Sequence, residues 1–226
     1  MVDAATTEQE AEALPPDEGR LIVAVGIPGS GKSAVFRRLG RIRGLRVFCE
    51  PEERDWRSAT KYHQWADQIA VLSWFRSIRV AQLYRAAALR RKGTVVLLDN
   101  YYDKLVYEYL GKPGIDRLIS PRDSYYRVFR ELARIDRASL PDADCLVFFE
   151  VAKDDWEAML DDRDNRFDRV PGFSEIYEAQ IHFYESAQRY CRQRGIPLVC
   201  FANRRSGADA AARELLERLK ETSIVI

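Results

Sequence analysis

The chain has 226 residues, 46% of them hydrophobic, with 36 Lys and Arg against 35 Asp and Glu. That size suits one sizeable α/β core rather than two full domains, and the near-zero net charge argues against an extended nucleic-acid surface. The acidic N-terminus lacks the apolar stretch of a secretory leader, no apolar run approaches the roughly 18 residues of a membrane span, and the four cysteines show no C-x-x-C spacing. A cytoplasmic protein with buried, reduced thiols and no membrane partner is expected.

Residues 1–19 are polar and acidic and read as a flexible tail before one domain over 20–226. An apolar run, Leu21 to Val25, then predicts a buried strand. Gly26 to Ser33 follows as GIPGSGKS, fitting G-x-x-x-x-G-K-[ST], and a helical pattern leads out through Val35, Phe36 and Leu39. The spelling has a mechanical reason. Gly26, Gly29 and Gly31 allow turns that a Cβ would obstruct, so several N–H groups can converge on phosphate oxygens. The helix that starts there adds the positive end of its dipole. Lys32 would reach the β- and γ-phosphates and the Ser33 hydroxyl would hold Mg²⁺. The expected ATP-binding set is therefore Gly26, Pro28, Gly29, Ser30, Gly31, Lys32, Ser33 and Ala34, with Arg204 joining it after the last strand.

A second strand over 45–49 ends in Glu50-Pro51, and a carboxylate there points into the crevice where open α/β sheets bind ligands. A long helix is predicted over 60–92, closed by Gly93. Its neighbourhood offers Trp56, Phe75 and Arg79 as faces and a fork for an acceptor, although most aromatics of this stretch must be core. The third strand, 94–98, ends in Asp99. A carboxylate in that place can hold Mg²⁺ or its water; the alternative is a helix N-cap, because 101–110 also reads as helical and carries Tyr102. Helices over 121–139, 154–160, 173–194 and 208–222 and strands over 144–151 and 196–202 complete the alternation, which requires a parallel sheet wrapped on both faces. Between the fourth strand and the long helix after it, Arg163, Arg166 and Arg169 recur at three-residue spacing. They could form a lid, about 161–172, whose guanidinium groups close on a transferring phosphoryl group, or a solvated run paired with neighbouring aspartates.

In this order, the P-loop, Glu50-Pro51, the strand ending at Asp99, the arginine segment and the five-strand layout resemble the thymidylate kinase and deoxynucleoside kinase branch of the P-loop kinases. Phe75 and Arg79, Asp99-Asn100-Tyr101, Leu140-Pro141-Asp142 and Asp168-Arg169 are similar to thymidylate kinase motifs. Phe48-Cys49-Glu50-Pro51 with Trp56 looks more like the deoxynucleoside kinases, in which the glutamate acts as base. The resemblance implies a P-loop NTPase fold, with a five-stranded parallel sheet in the order 2-3-1-4-5, helices on both faces and an arginine-bearing lid. It implies transfer of the γ-phosphoryl of ATP to a nucleoside or nucleoside monophosphate. Lys32, Glu50, Asp99, Arg163, Arg166 and Arg169 would be catalytic, Ser33 and Asp99 would hold Mg²⁺, and Glu50, Trp56, Phe75, Arg79 and Tyr102 would meet the acceptor. Two departures stand out: Asn100 and Cys49 replace arginines expected at the acceptor side, with Arg54, Arg57 or Lys104 as substitutes. A kinase of another small hydroxyl compound and a nucleotide-dependent switch are the alternatives. Related kinases are often dimers, but these residues identify no interface.

Overall fold

In the computed structural model, residues 19–51, 68–113, 119–163 and 173–222 are described. Most of the predicted tail, Trp56, Arg54, Arg57 and the arginine segment beyond Arg163 lie outside them. The five strands are β1 (Leu21–Val25), β2 (Arg46–Phe48), β3 (Val96–Leu98), β4 (Cys145–Glu150) and β5 (Leu198–Ala202). All pair in parallel, in the order β2-β3-β1-β4-β5. The helices are α1 (Lys32–Arg43), α2 (Gln68–Arg90), α3 (Tyr102–Tyr109), α4 (Tyr126–Ser139), α5 (Lys153–Arg163), α6 (Gln180–Arg194) and α7 (Ala208–Glu221), with a 3-10 segment Phe173–Ala179 before α6.

Strand alternation divides the core in two. Ile22, Ala24, Val147, Phe149 and Phe201 pack with Phe36 of α1 and Leu215 of α7 on one face. Leu21, Val23, Leu98, Leu146 and Phe148 pack with residues of α2, α3, α4 and α6 on the other. Because a parallel strand buried on both sides cannot expose either set, β1 is buried along its whole length. The register pairs Val23 with Leu98 and Phe48 with Leu98. The first residues past the ends of β1, β2 and β3 therefore emerge together at one edge of the sheet, and these carry the P-loop, Glu50 and Asp99.

Several boundaries differ from the sequence pattern. The helix predicted over 121–139 starts at Tyr126, because Asp123 Oδ1 accepts the Tyr125 N–H at 2.8 Å and its carbonyl accepts the Tyr126 N–H at 3.1 Å, forming a turn where the helix would begin. The helix predicted over 173–194 opens as the 3-10 segment. Here the Tyr177 hydroxyl donates to the Val151 carbonyl, and the Gln180 amide both donates to that carbonyl and accepts the Val151 N–H. These bonds pin the chain against the end of β4. All four cysteines are free thiols, but only Cys145 and Cys191 are buried; Cys200 is exposed, alternating outward on edge strand β5. Among the described residues, no helix is long and apolar enough to cross a membrane.

Lys104 is not a substitute ligand for an acceptor phosphate. Its side chain is 1% exposed, and its ammonium donates to the Leu140 carbonyl and pairs with Asp142 at 2.9 Å. Asp142 in turn accepts the Tyr190 hydroxyl and pairs with Arg194, so the cluster fastens the Leu140–Asp142 turn leading into β4. Removing the lysine strands a carbonyl and leaves a void. Lys104→Ala should lower unfolding free energy by about 2–4 kcal/mol in urea titration while leaving nucleotide affinity unchanged.

Candidate active site

The P-loop is held from outside as well as by its own turns. Gly29 and Gly31 have φ of 80° and 84°. A Cβ on Gly31 would lie 2.3 Å from Asn203 Nδ2, and one on Gly29 2.5 Å from Leu160 Cδ2. That crowding is useful: Asn203 Nδ2 donates to the Ser30 carbonyl at 2.8 Å, and the Trp156 indole N–H donates to the Pro28 carbonyl at 2.8 Å. The loop is thus pinned to the end of β5 and to the first turn of α5. These two partners occupy the Pro28 and Ser30 carbonyls. Gly31 caps α1 with no side-chain cap bond, and the first turn of α1 holds no acidic residue. The positive end of the helix dipole is therefore left for an anion. The Lys32 ammonium lies over the loop, donating to the Gly26 and Ile27 carbonyls at 2.9 and 2.8 Å and to Ser30 Oγ at 3.3 Å.

Asp99 lies directly beside this cradle. Its Oδ1 accepts the Glu50 main-chain N–H at 2.8 Å, while Oδ2 is buried without a hydrogen-bond partner. The N-cap alternative does not hold for Asp99, since α3 begins at Tyr102 behind Tyr101 and the first helical N–H goes to Asn100 Oδ1. Burial, and then the nearby Glu50 carboxylate, push the Asp99 acid from the ordinary carboxylate range up to about 6, against the pull of the Ser33 hydroxyl and Lys32. A buried carboxylate oxygen with no partner, near a hydroxyl at the start of a phosphate cradle, fits a hard cation with oxygen ligands. Among the described residues, no group of three or more His, Cys, Asp or Glu gathers for a metal. Ser33 and Asp99 offer protein oxygens of the kind such a cation takes.

Glu50 is the other carboxylate of the crevice. It accepts a hydrogen bond from Asn100 Nδ2 and lies 3.7 Å from Arg79 Nη1. Arg79 itself is committed elsewhere: its Nε and Nη2 grip Asp103 at 2.7 and 3.0 Å, and it lies over the Tyr102 and Phe75 rings at 4.8 and 5.6 Å. Burial pulls the guanidinium toward losing its proton, but Asp103 and Glu50 more than offset this and hold it charged. In front of Glu50 and Lys32 opens a mostly apolar pocket, walled by Tyr102, Leu105, Tyr109, Ile176 and Phe183. Tyr109 and Phe183 stack with ring centres 4.6 Å apart. The Tyr102 hydroxyl is buried without a partner.

The structure thus brings Gly26, Pro28, Lys32, Glu50 and Tyr102 to one pocket, while Ser33 and Asp99 lie next to each other outside its lining. Arg79 lies 3.7 Å from Glu50 with Phe75 beside it, and neither lines the pocket. Ala34 is exposed in the first turn of α1, and Arg204 is exposed just past β5, next to Asn203. Arg163 closes α5, and Arg166, Arg169 and Trp56 lie outside the described residues. Sequence reasoning missed Asn203, Trp156, Asp103 and the hydrogen-bonding of Asn100. Of the wall, Tyr102 was expected; Phe183 stands next to Tyr184 in the sequence, an aromatic pair that could have drawn notice, and Leu105, Tyr109 and Ile176 read only as core.

No family model and no curated protein matches the sequence. Solved structures do. A deoxyadenosine kinase from M. mycoides, with products dCMP and dCDP bound, superposes with TM-score 0.63 at 15% identity, over 89% of this chain and 99% of that one. A thymidylate kinase from Candida albicans gives 0.57 at 14% identity, over 91% and 93%. A NadR protein in complex with NR gives 0.56 at 15%, over 93% of this chain and 53% of that chain. The chain therefore shares the fold of these proteins, and at such identities the likeness is one of fold.

The raised Asp99 acid has a consequence for metal-free protein. Its folded pKa lies above the unfolded value, so the ionised form costs stability. The cost is absent below about pH 4, grows as pH rises toward 6, and is complete above it. Asp99→Asn keeps an acceptor for the Glu50 N–H and removes the charge. Metal-free Asp99→Asn should be more stable than wild type by about 2–3 kcal/mol at pH 7.5 in urea titration, the gap closing toward pH 4; equal stability at pH 7.5 would contradict the buried, uncompensated charge.

Proposed function

We propose that the protein is an ATP-dependent phosphotransferase that moves the γ-phosphoryl group to the hydroxyl of a nucleoside or nucleoside monophosphate. One observation carries the reading: a P-loop with its lysine and serine, a buried carboxylate with an orphaned oxygen, and a second carboxylate at the mouth of an aromatic pocket all meet at one sheet edge. The loop N–H groups, the start of α1 and Lys32 would hold the triphosphate. Ser33 and Asp99 would hold Mg²⁺, which supplies charge neutralisation on the phosphates when bound. Glu50 would accept the proton of the acceptor hydroxyl as that oxygen attacks the γ-phosphorus and the bond to the departing ADP oxygen breaks. Tyr102, Tyr109 and Phe183 would stack on the flat part of the acceptor. Because a loose phosphoryl transition state asks for little covalent help, placement and charge would supply the acceleration. Arg163, Arg166 and Arg169 belong to this reading as the lid.

A second reading, a kinase of a different small alcohol, is favoured by the cations of the acceptor side. Arg79 is clamped on Asp103, Lys104 is buried on Asp142, and position 100 is a neutral amide. The two readings separate in a single assay. ADP release with Mg·ATP should be stimulated by at least one of deoxyadenosine, deoxycytidine, thymidine or dTMP. Glu50→Gln should lower that turnover by about 100-fold or more, in the range general-base removal gives, with nucleotide affinity retained. Stimulation by unrelated alcohols alone would move the acceptor class. Slow hydrolysis indifferent to every acceptor would remove the kinase.

A further inference from the structure

We infer that Asn100 is the positioning residue for Glu50, holding the carboxylate in its working direction through a neutral donor. The inference rests on the reading of Glu50 as the proton acceptor. Asn100 sits between Asp99 at the end of β3 and the first turn of α3. Its Oδ1 accepts the Tyr102 main-chain N–H at 2.6 Å. A main-chain N–H can only donate, so this bond fixes which end of the amide is oxygen. The NH₂ end is thereby turned toward β2, where it donates to Glu50 Oε1. Below the side chain, the Glu50 main chain is tied to Asp99 at 2.8 Å. Glu50 is thus held at two points, both reaching it from the same short segment, 99–100.

The choice of an amide has a chemical consequence. A donor is needed to fix a carboxylate on a strand end whose side chain is 40% exposed. A cation in that place would do so at the expense of proton affinity, because an adjacent positive charge favours the ionised form. Arg79 gives its two-pronged face to Asp103 and makes with Glu50 only a long ion pair at 3.7 Å. The hydrogen bond that directs the Glu50 carboxylate comes from the neutral amide of Asn100.

Asn100→Asp separates positioning from structure. One carboxylate oxygen can still accept the Tyr102 N–H, and aspartate is as good as asparagine at the start of a helix. The other oxygen now faces Glu50 as a like charge in place of a donor. Asn100→Ala loses both bonds. With Mg·ATP and the deoxyadenosine, deoxycytidine, thymidine and dTMP panel, Asn100→Asp should melt at or near the wild-type temperature. Its kcat should fall about 100-fold, with KM for ATP within about twofold of wild type, in line with the cost of misplacing a catalytic group. Asn100→Ala should melt lower yet lose less kcat than Asn100→Asp. Activity that tracks melting temperature, or Asn100→Asp with wild-type kcat, would overturn the positioning role. Glu50→Gln measured alongside tells the two levels apart. If it is inactive while Asn100→Asp is active, positioning alone falls. If it keeps full turnover, or no acceptor stimulates wild type, the reading beneath falls and the inference with it.

Discussion

The bond from the Glu50 main-chain N–H to Asp99 Oδ1 joins the two strand ends on which the site depends. β2 and β3 are neighbours in register, and Asp99 N–H returns a bond to the Phe48 carbonyl at 3.0 Å. The exit of β2 is therefore set by a side chain of β3, and the side chain of β3 loses one of its oxygens to that task. The other oxygen is buried without a hydrogen-bond partner. A fold optimised for stability alone would put an amide or an apolar group there, since an ionised, desolvated carboxylate is costly. Keeping it is intelligible where a cation completes the arrangement.

The P-loop shows the same division between local spelling and distant support. Its glycines permit the turns, but Trp156 and Asn203, more than 120 residues downstream, hold two of its carbonyls. These contacts leave room for no side chain at Gly29 or Gly31. The loop is therefore held in shape by contacts from outside it, and a ligand docking there would need little ordering of the loop. Trp156 also packs on Tyr177, with ring centres 5.5 Å apart. It links the loop to both helical segments that border residues 164–172.

Much of this was legible in the chain. The P-loop, five apolar runs alternating with helices, and carboxylates at the ends of the second and third strands pointed to a parallel sheet, its crevice and the candidate base and metal carboxylate, while the strand order came with the resemblance to the P-loop kinases. What escaped depended on tertiary approach. Asn100 and Glu50 lie 50 residues apart and meet only because β2 and β3 pair. Lys104 reads as a substitute for an arginine missing from the acceptor side, whereas its ammonium closes a buried cluster. Arg79 reads as a free fork for a ligand, yet Asp103 on the facing helix occupies it. The late start of α4 is a side-chain matter too, since Asp123 offers its own backbone a turn that competes with helix.

The proposed function requires this strand-edge cradle to bind a triphosphate, with Lys32, which here lies on the Gly26 and Ile27 carbonyls, as its charged arm. Calorimetric titration of wild type and Lys32→Ala with a non-hydrolysable ATP analogue and Mg²⁺ tests it without knowledge of the acceptor. The account predicts saturable one-site binding by wild type and at least about a tenfold weaker Kd in Lys32→Ala, the loss of one charge-assisted contact to phosphate. Equal affinity in the two proteins, or no binding by wild type, would contradict it.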